Sequence, residues 1–234
     1  MTFEVCAVNI QSALAAERAG AHRIELCSAL DVGGLTPSLG LIRAAINQLT
    51  IPVNVLIRPR EGHFCYSDNE FEIMLDDIRF CHNEGANGVV VGALMPDNQL
   101  DLTKMEAMKR MAGGMEIVCH RAFDFTADPA AVLEQLIALG YRRVLSSGQS
   151  ASAYEGRFLL KKLVEQAAGR ISVMPGSGVS AENICDIAAV TSAQEFHFTG
   201  KKKVVGSADI PGLESWYWES DEGVISRIMA SLQG

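Results

Sequence analysis

The sequence predicts a closed parallel (β/α)8 barrel, and three observations favour this fold class. Eight short segments of strand length are each followed by a segment with helical periodicity. The connections are short, and no linker divides the chain, as is typical of such barrels. The 234 residues, 48% of them hydrophobic, suit a barrel that folds as one domain over 1–234. An open doubly wound sheet is the alternative, but no G-x-G-x-x-G motif follows the first strand.

The first four strand–helix units begin and end at ordinary capping and turn residues. The predicted strands are 3–8, 23–28, 52–59 and 88–94, and the predicted helices are 12–18, 36–49, 67–84 and 101–111. Ser12 and Ser67 are favourable helix caps, and Pro37 suits a first helical position. Gly20 and Gly85 follow two of these helices and favour their ends there.

The last four units repeat this alternation. The predicted strands are 116–121, 143–147, 171–174 and 195–199, and the predicted helices are 128–140, 152–168, 180–189 and 224–232. Asp128 and Pro129 open one helix, which ends at Gly140. The segment 207–223 has no period, and we expect an irregular lid over the barrel mouth or a surface for another subunit.

Alternation within the strands predicts a polar barrel interior. Apolar residues such as Phe3, Val5 and Phe196 face the helices, which turns their polar neighbours inward. These inward residues are Glu4, Cys6, Glu25, Cys27, Asn54, Arg58, Glu116, His120, Glu195, His197 and Thr199. The residues late in their strands lie at the carboxyl end, where such barrels place their chemistry, and a functional site is the stronger interpretation for them. For the early glutamates a structural ion-pair network, which Arg58 would also join, is the stronger interpretation.

Composition excludes several classes of function. Twenty Lys and Arg against 28 Asp and Glu give a net charge of −8, which argues against nucleic acid or an anionic membrane as a partner. No apolar run is long enough to span a membrane, and no basic leader precedes the first strand, so we expect a cytoplasmic protein. The six cysteines form no C-x-x-C pair, which favours reduced thiols. No G-x-S-x-G, P-loop or H-E-x-x-H motif is present.

Two loops suggest an anion site. Gly176, Ser177 and Gly178 follow strand seven, and Lys201 follows strand eight, where barrels of this kind commonly hold phosphate. Ser147, after strand six, would add a hydroxyl donor. A plain turn and a solvated lysine are the competing interpretation.

Two functional hypotheses remain open from the residues alone. Cys6 and Cys27, on neighbouring strands, could bind one Cu(I) ion, although buried apolar cysteines are the simpler interpretation. Alternatively, the chain is an enzyme on a small anionic or phosphorylated substrate. In that hypothesis Arg58 and Arg60 clamp the anion, while His120, oriented by Asp124, and His197 transfer protons.

Short motifs spread over residues 4–197 resemble the CutC family of copper homeostasis proteins. The matching stretches are Glu4-Val5-Cys6, Arg23-Ile24-Glu25-Leu26-Cys27, Ile57-Arg58-Pro59-Arg60, His120-Arg121-Ala122-Phe123-Asp124, Ser147-Gly148-Gln149, Met174-Pro175-Gly176-Ser177-Gly178-Val179 and Glu195-Phe196-His197. The resemblance implies a cytoplasmic TIM barrel that forms a homodimer or a higher homo-oligomer. It also implies a role in copper homeostasis, with Cys6 and Cys27 as the copper ligands.

Overall fold

Strands and helices alternate along the chain, which confirms the predicted (β/α)8 barrel. The structure is a computed structural model that describes residues 1–207 and 215–232. The barrel strands are β1 (Thr2–Ala7), β2 (Arg23–Leu26), β3 (Val53–Leu56), β4 (Gly88–Val91), β5 (Glu116–Cys119), β6 (Arg143–Ser146), β7 (Ser172–Pro175) and β8 (Glu195–Phe198). The helices are α1 (Ile10–Arg18), α2 (Leu39–Gln48), α3 (Asp68–Glu84), α4 (Leu102–Ala112), α5 (Pro129–Ala138), α6 (Arg157–Ala167), α7 (Ile184–Thr191) and α8 (Glu222–Ala230).

All eight barrel strands run parallel. Each strand from β1 to β6 pairs with the next along the chain, and β1 also pairs with β8. Because β7 also packs beside β8, the ring is nearly closed. The carboxyl ends of all eight strands therefore meet at one rim, and the loops that follow them surround a shared opening.

Local capping explains most helix boundaries. Ser67 caps α3 with a full capping box, and Asp128 caps α5, in which Pro129 is the first helical residue. Two predicted caps are wrong. Asn9, not Ser12, accepts the backbone N–H that begins α1, and α2 begins after Ser38 rather than at Pro37.

Two further helices begin later than predicted, and a short helix replaces the end of one strand. α6 begins at Arg157 and α7 at Ile184, because loops of several residues follow β6 and β7 first. β5 ends at Cys119, and Arg121–Phe125 forms a 3-10 helix at the rim. Leu30–Val32 forms another 3-10 turn at the same end of the barrel.

A β-hairpin follows the barrel where the sequence predicts an irregular segment. Its strands are β9 (Lys201–Val205) and β10 (Trp216–Ser220), which pair antiparallel, so the end of the segment 207–223 is regular. The hairpin is joined to α1, since Ser220 N–H donates to Ser12 Oγ at 2.9 Å. Residues 208–214, which belong to the same predicted segment, lie outside the described residues.

The buried residues form two separate apolar layers. The larger lies between the strands and the helices, and contains outward-facing residues such as Phe3, Val5 and Phe196. The smaller lies inside the barrel and consists of Cys6, Cys27, Leu56, Val90 and Val118. The inward and outward faces therefore follow the alternation of the sequence. Among the described residues, none of the helices has the length and apolar character that a membrane span requires.

Buried ion pairs fill the amino-terminal half of the barrel interior. Arg23 contacts Glu4 at 2.6 Å and Glu195 at 2.5 Å, and Arg143 contacts Glu195 at 2.7 Å and also pairs with Glu116. The alternation of the strands predicts a network of the early glutamates with Arg58 as their cation. The cations are instead Arg23 and Arg143, because the first residues of β2 and β6 also face inward.

We predict that Arg143→Met destabilises the fold strongly. The change leaves Glu116 and Glu195 without one of their cations, although Arg23 still contacts Glu195, and the loss of such a hydrogen-bonding partner costs about 1–3 kcal/mol. Urea unfolding monitored by circular dichroism would measure this loss. Arg142→Met is the matched control, because that side chain is 67% exposed and lies 3.9 Å from Glu116. Equal losses in the two variants would contradict a structural role for the interior network.

Candidate functional site

A cavity of about 400 Å³ opens at the carboxyl ends of the strands. Its polar lining comes from Cys6, Glu25, Cys27, Arg58, His120, Arg121, Ser177, His197, Thr199 and Lys201. Its apolar lining includes Leu30, Leu56, Phe64, Leu145, Val179 and Phe198. The volume lies at the small end of the range for small-molecule sites. The structure thus brings Arg58, His120 and His197 into one cavity with both inward cysteines.

The two inward thiols lie side by side in this cavity. Cys6 Sγ is 3.4 Å from Cys27 Sγ, and both residues are buried. Gly34 makes room for them, because its φ of +87° is a left-handed conformation and a Cβ there would meet Leu56 at 2.7 Å. The hydrogen bond with Cys27, followed by burial, raises the pKa of the Cys6 thiol well above its ordinary value. Without a metal, the pair therefore favours a protonated Cys6.

His197 and Glu4 form a buried pair next to the thiols. His197 Nδ1 lies 2.8 Å from Glu4 Oε1. Burial opposes ionisation of Glu4, but the hydrogen bond with His197 and the charge of Arg23 outweigh it and lower the pKa of Glu4 to about 2. Burial also opposes protonation of His197, but Glu25, Cys6 and Glu4 outweigh it and raise the pKa of His197 well above its ordinary value. The pair therefore consists of a carboxylate and an imidazolium.

Glu25 is a second buried acid at the thiols. One ligand atom each of Cys6, Glu25 and His197 lie within 4.8 Å of one another. Within residues 1–207 and 215–232, Glu25 Oε2 has no hydrogen-bond partner. Burial, followed by the charge of Glu4, raises the pKa of Glu25 to about 7. A bound cation would favour its ionised form.

Arg58 holds the loops around the cavity together. Its Nη1 donates to the carbonyls of Val32 at 2.7 Å and Gly34 at 2.9 Å, and its Nη2 donates to the carbonyl of Gly62 at 2.9 Å. Three of the four N–H bonds on these two nitrogens are thus engaged by loop carbonyls, which leaves little of the guanidinium for the predicted clamp on an anion. Only Nε lacks a partner in the described part of the chain.

Arg60 lies outside the cavity lining. Its Nε donates to Glu70 Oε1 at 2.5 Å, and its Nη2 donates to the carbonyl of Cys65 at 2.8 Å. Glu70 is also the third residue of the α3 capping box. Arg60 therefore fastens the loop before α3, and the predicted pairing of Arg58 and Arg60 around one anion is corrected by these contacts.

His120 and Asp124 do not form the predicted pair. His120 Nδ1 accepts the backbone N–H of Ala122 at 3.1 Å, whereas Asp124 accepts hydrogen bonds from Ser146 Oγ at 2.6 Å and from the backbone N–H of Ser147 at 3.0 Å. Burial, followed by the charge of Arg58, lowers the pKa of His120 to about 3. A neutral imidazole with so low a pKa is poorly matched to proton transfer near neutral pH.

Only some residues of the predicted anion loops line the cavity. Ser177 and Gly178 line the cavity, as does Lys201, whose Nζ lies 4.0 Å from the centre of the Trp218 ring. Ser147 lies away from the lining, and its Oγ donates to the carbonyl of Ser150 at 2.6 Å. Gly176 directly follows β7 and lies against Leu145, where a Cβ would approach that side chain to 2.4 Å. Only part of the predicted anion site therefore faces the cavity.

Sequence reasoning missed three residues that shape the interior. Arg23 lies two residues before Glu25 and Arg143 two residues before Leu145, so each faces the same side of its strand as a residue that lines the cavity. Strand alternation could therefore have predicted that both arginines face inward. Phe64 lies in a loop, and its ring is 4.9 Å from that of His120 between ring centres. No local signal in the sequence indicates this contact.

Comparison with known proteins identifies close relatives. The model of the CutC family matches residues 1–202. A relative from Pasteurella multocida, described as a family protein CutC, is 48% identical over 201 residues, which cover 86% of this chain and 82% of the relative. A relative of the same description from Xanthomonas campestris pv. campestris is 48% identical over 238 residues, covering 100% and 99% of the two chains.

Solved structures agree with this result. One from Streptococcus agalactiae, described as a copper homeostasis protein CutC, matches with a TM-score of 0.81 and 37% identity, covering 85% of this chain and 98% of that one. Phosphoribosyl anthranilate isomerase from Thermotoga maritima matches with a TM-score of 0.61 and 12% identity, covering 100% and 99%. At that identity, the second match shows the barrel fold alone.

We predict that His120 makes stability depend on pH in the acid range. A histidine with a folded pKa of about 3 stays neutral in the fold, whereas its unfolded form gains a proton below about pH 6.5. The stabilisation that the neutral His120 contributes is therefore fully present above the unfolded pKa and falls as the pH falls towards 3, by about 2 kcal/mol between pH 7 and pH 5 relative to a variant without the ring. Urea unfolding at the two pH values would measure this.

The matched variants are His120→Gln and His82→Gln. His120→Gln removes the titrating ring, so it should lose about 2 kcal/mol less than the parent protein between the two pH values. His82 is exposed on α3, and its variant should follow the parent protein. A His120→Gln variant with the same pH dependence as the parent would contradict a neutral buried His120.

Proposed function

Because the chain belongs to the CutC family of copper homeostasis proteins, we propose that it binds Cu(I) through the thiolates of Cys6 and Cys27. One observation carries this proposal: the two sulfur atoms lie 3.4 Å apart inside a buried cavity. Soft thiolates are the ligands that favour Cu(I) over the harder cations. The pair is also distinct from the other four cysteines, which lie at separate positions in the fold.

The donor set around the pair fits a soft monovalent ion. Binding requires loss of the thiol protons, and the raised pKa of Cys6 means that the metal must displace a proton there. His197 lies close enough to Cys6 to hold the sulfur in place, and it would offer a third ligand only after its imidazolium had lost a proton. The carboxyl of Glu25 is a hard ligand that suits Cu(I) poorly, so its role would be to offset charge.

Location and assembly belong to the same proposal. Thiols stay reduced in the cytoplasm, which suits a Cu(I) site of two cysteines, and we infer a cytoplasmic protein on this ground. The family resemblance further leads us to expect a homo-oligomer. The paired tryptophans of β10, whose ring centres are 5.1 Å apart, lie on the exposed hairpin and are candidates for a lid or an interface.

The structure gives the enzyme hypothesis less support. Arg58 donates to backbone carbonyls, Arg60 pairs with Glu70, and Asp124 contacts serines rather than His120. The proposed clamp and the proposed acid–base pair would both need different contacts. Copper binding requires only the pair of thiols that the structure already brings together.

We predict that replacing the thiol pair abolishes tight Cu(I) binding. Cu(I) titration of the full chain against a competing chelator should show one tight site, which Cys6→Ser and Cys27→Ser each weaken and the double variant removes. The physical reason is that a hydroxyl is a hard, weakly ionised ligand compared with a thiolate. Cys185→Ser is the matched control, because Cys185 is exposed on α7 and lies outside the cavity.

Two results would count against the proposal. Unchanged Cu(I) affinity in the double variant would exclude the pair as the site. Zn(II) binding as tight as Cu(I) binding in the same competition would indicate a general thiolate–histidine site, because Cys, His and carboxylate ligands together also suit zinc. Unfolding curves of all variants would establish that any loss of binding is not a loss of fold.

A further inference from the structure

Arg58 is a buried cation without an anionic partner. Arg58 is 6% exposed, and its Nη atoms donate to the carbonyls of Val32, Gly34 and Gly62. Within residues 1–207 and 215–232 no carboxylate forms an ion pair with it, in contrast to Arg23 and Arg143 in the same barrel. Buried charges are ordinarily paired, so the charge of Arg58 favours an anion supplied from outside the chain.

His120 adds a hydrogen-bond donor on the same side of the cavity. Its Nδ1 accepts the N–H of Ala122, so the proton of the neutral ring lies on Nε2. The low pKa of His120 keeps the ring in this neutral form at physiological pH. In the described residues, Nε2 is buried and has no partner. His120 is 5% exposed and lines the cavity, so this N–H is a donor that the fold itself does not use.

The apolar ring of Phe64 lies beside Arg58 and His120. Phe64 lies 4.9 Å from the ring centre of His120, and the Arg58 Cζ lies 5.0 Å from the ring centre of Phe64. Gly92 leaves space for the imidazole of His120, because a Cβ at position 92 would lie 2.5 Å from His120 Cε1. An occupant of this half of the cavity would therefore meet the Arg58 cation, whose Nε has no partner in the described residues, the N–H of His120 and an aromatic face.

These groups define the chemistry of an occupant. A metal ion would be repelled by Arg58, and a neutral molecule would leave its charge unpaired. A phosphate would need more free donors than this side offers, since the Nη atoms of Arg58 are engaged. A carboxylate on an apolar body matches the charge, the donor and the Phe64 ring, and a cavity of about 400 Å³ limits it to a small molecule.

We propose that this cavity also binds a small organic carboxylate, whose oxygen accepts from His120 Nε2–H beside the charge of Arg58 and whose apolar body packs on Phe64. The site lies in the cavity of Cys6 and Cys27 but uses none of the proposed copper ligands. It therefore goes beyond the copper proposal and does not depend on it.

Calorimetric titration of the full chain, kept free of copper with a chelator, tests the proposal with benzoate as the probe. Benzoate should bind with a dissociation constant of about 1 mM or lower, and the neutral isostere benzamide at least about tenfold more weakly. Inorganic phosphate should bind more weakly than benzoate. His120→Phe removes the donor and keeps an aromatic ring, and it should weaken benzoate binding about tenfold or more. His82→Phe, on the exposed face of α3, should leave it unchanged.

Several results would overturn the proposal. The first is the absence of benzoate binding up to about 10 mM. The others are an affinity for benzamide equal to that for benzoate, tighter binding of phosphate than of benzoate, and an unchanged benzoate affinity in His120→Phe. If His120→Phe fails to fold, the imidazole ¹⁵N resonances of the parent protein give the answer, since benzoate should shift the Nε2 signal of His120 and an unshifted signal contradicts the contact. The Cys6→Ser, Cys27→Ser double variant should retain benzoate binding, so failure of the copper proposal and failure of this one are distinguishable.

Discussion

The ion pair between Arg23 and Glu4 connects the two halves of the barrel interior. Arg23 also contacts Glu195, which in turn contacts Arg143. On the other side, Glu4 contacts His197 at the cavity. A barrel interior filled with charge is costly unless nearly every group has a partner. The chain meets this condition with carboxylates and guanidinium groups from five strands, and the apolar layer of Cys6, Cys27 and Leu56 lies above them.

The same network determines the electrostatics of the cavity floor. Arg23 stabilises the ionised form of Glu4, and Glu4 in turn stabilises a protonated His197 beside Cys6. On the opposite wall, burial and Arg58 keep His120 neutral. Two histidines in one cavity thus have opposite pKa shifts, because one has carboxylates as neighbours and the other a guanidinium. The floor accordingly favours thiol chemistry, whereas the Arg58 and His120 wall favours binding of an oxyanion.

One physical cause explains why Arg58, Arg60 and Asp124 contact other partners than the sequence predicts. Arg58 and Arg60 have the residue type and position of an anion clamp, yet their hydrogen bonds go to loop carbonyls and to Glu70. Asp124 is four residues from His120, but the 3-10 helix that begins at Arg121 directs its carboxylate to Ser146 and Ser147. Loop conformation decides which partner a side chain meets, and it depends on contacts between segments that are far apart in the sequence. A periodic pattern contains no information about them.

The sequence by itself determined the barrel, the order of its strands and the inward face of five of them (β1, β2, β3, β5 and β8), because these follow from local periodicity and from the side-chain alternation of a β-strand. The position of the thiol pair follows from the same alternation on two neighbouring strands. Only the tertiary structure decided that Arg23 and Arg143 hold the interior glutamates, that Arg58 is left without a carboxylate, and that Phe64 packs on His120. These outcomes depend on shear between strands and on loop contacts across the rim, which no single segment of the chain encodes.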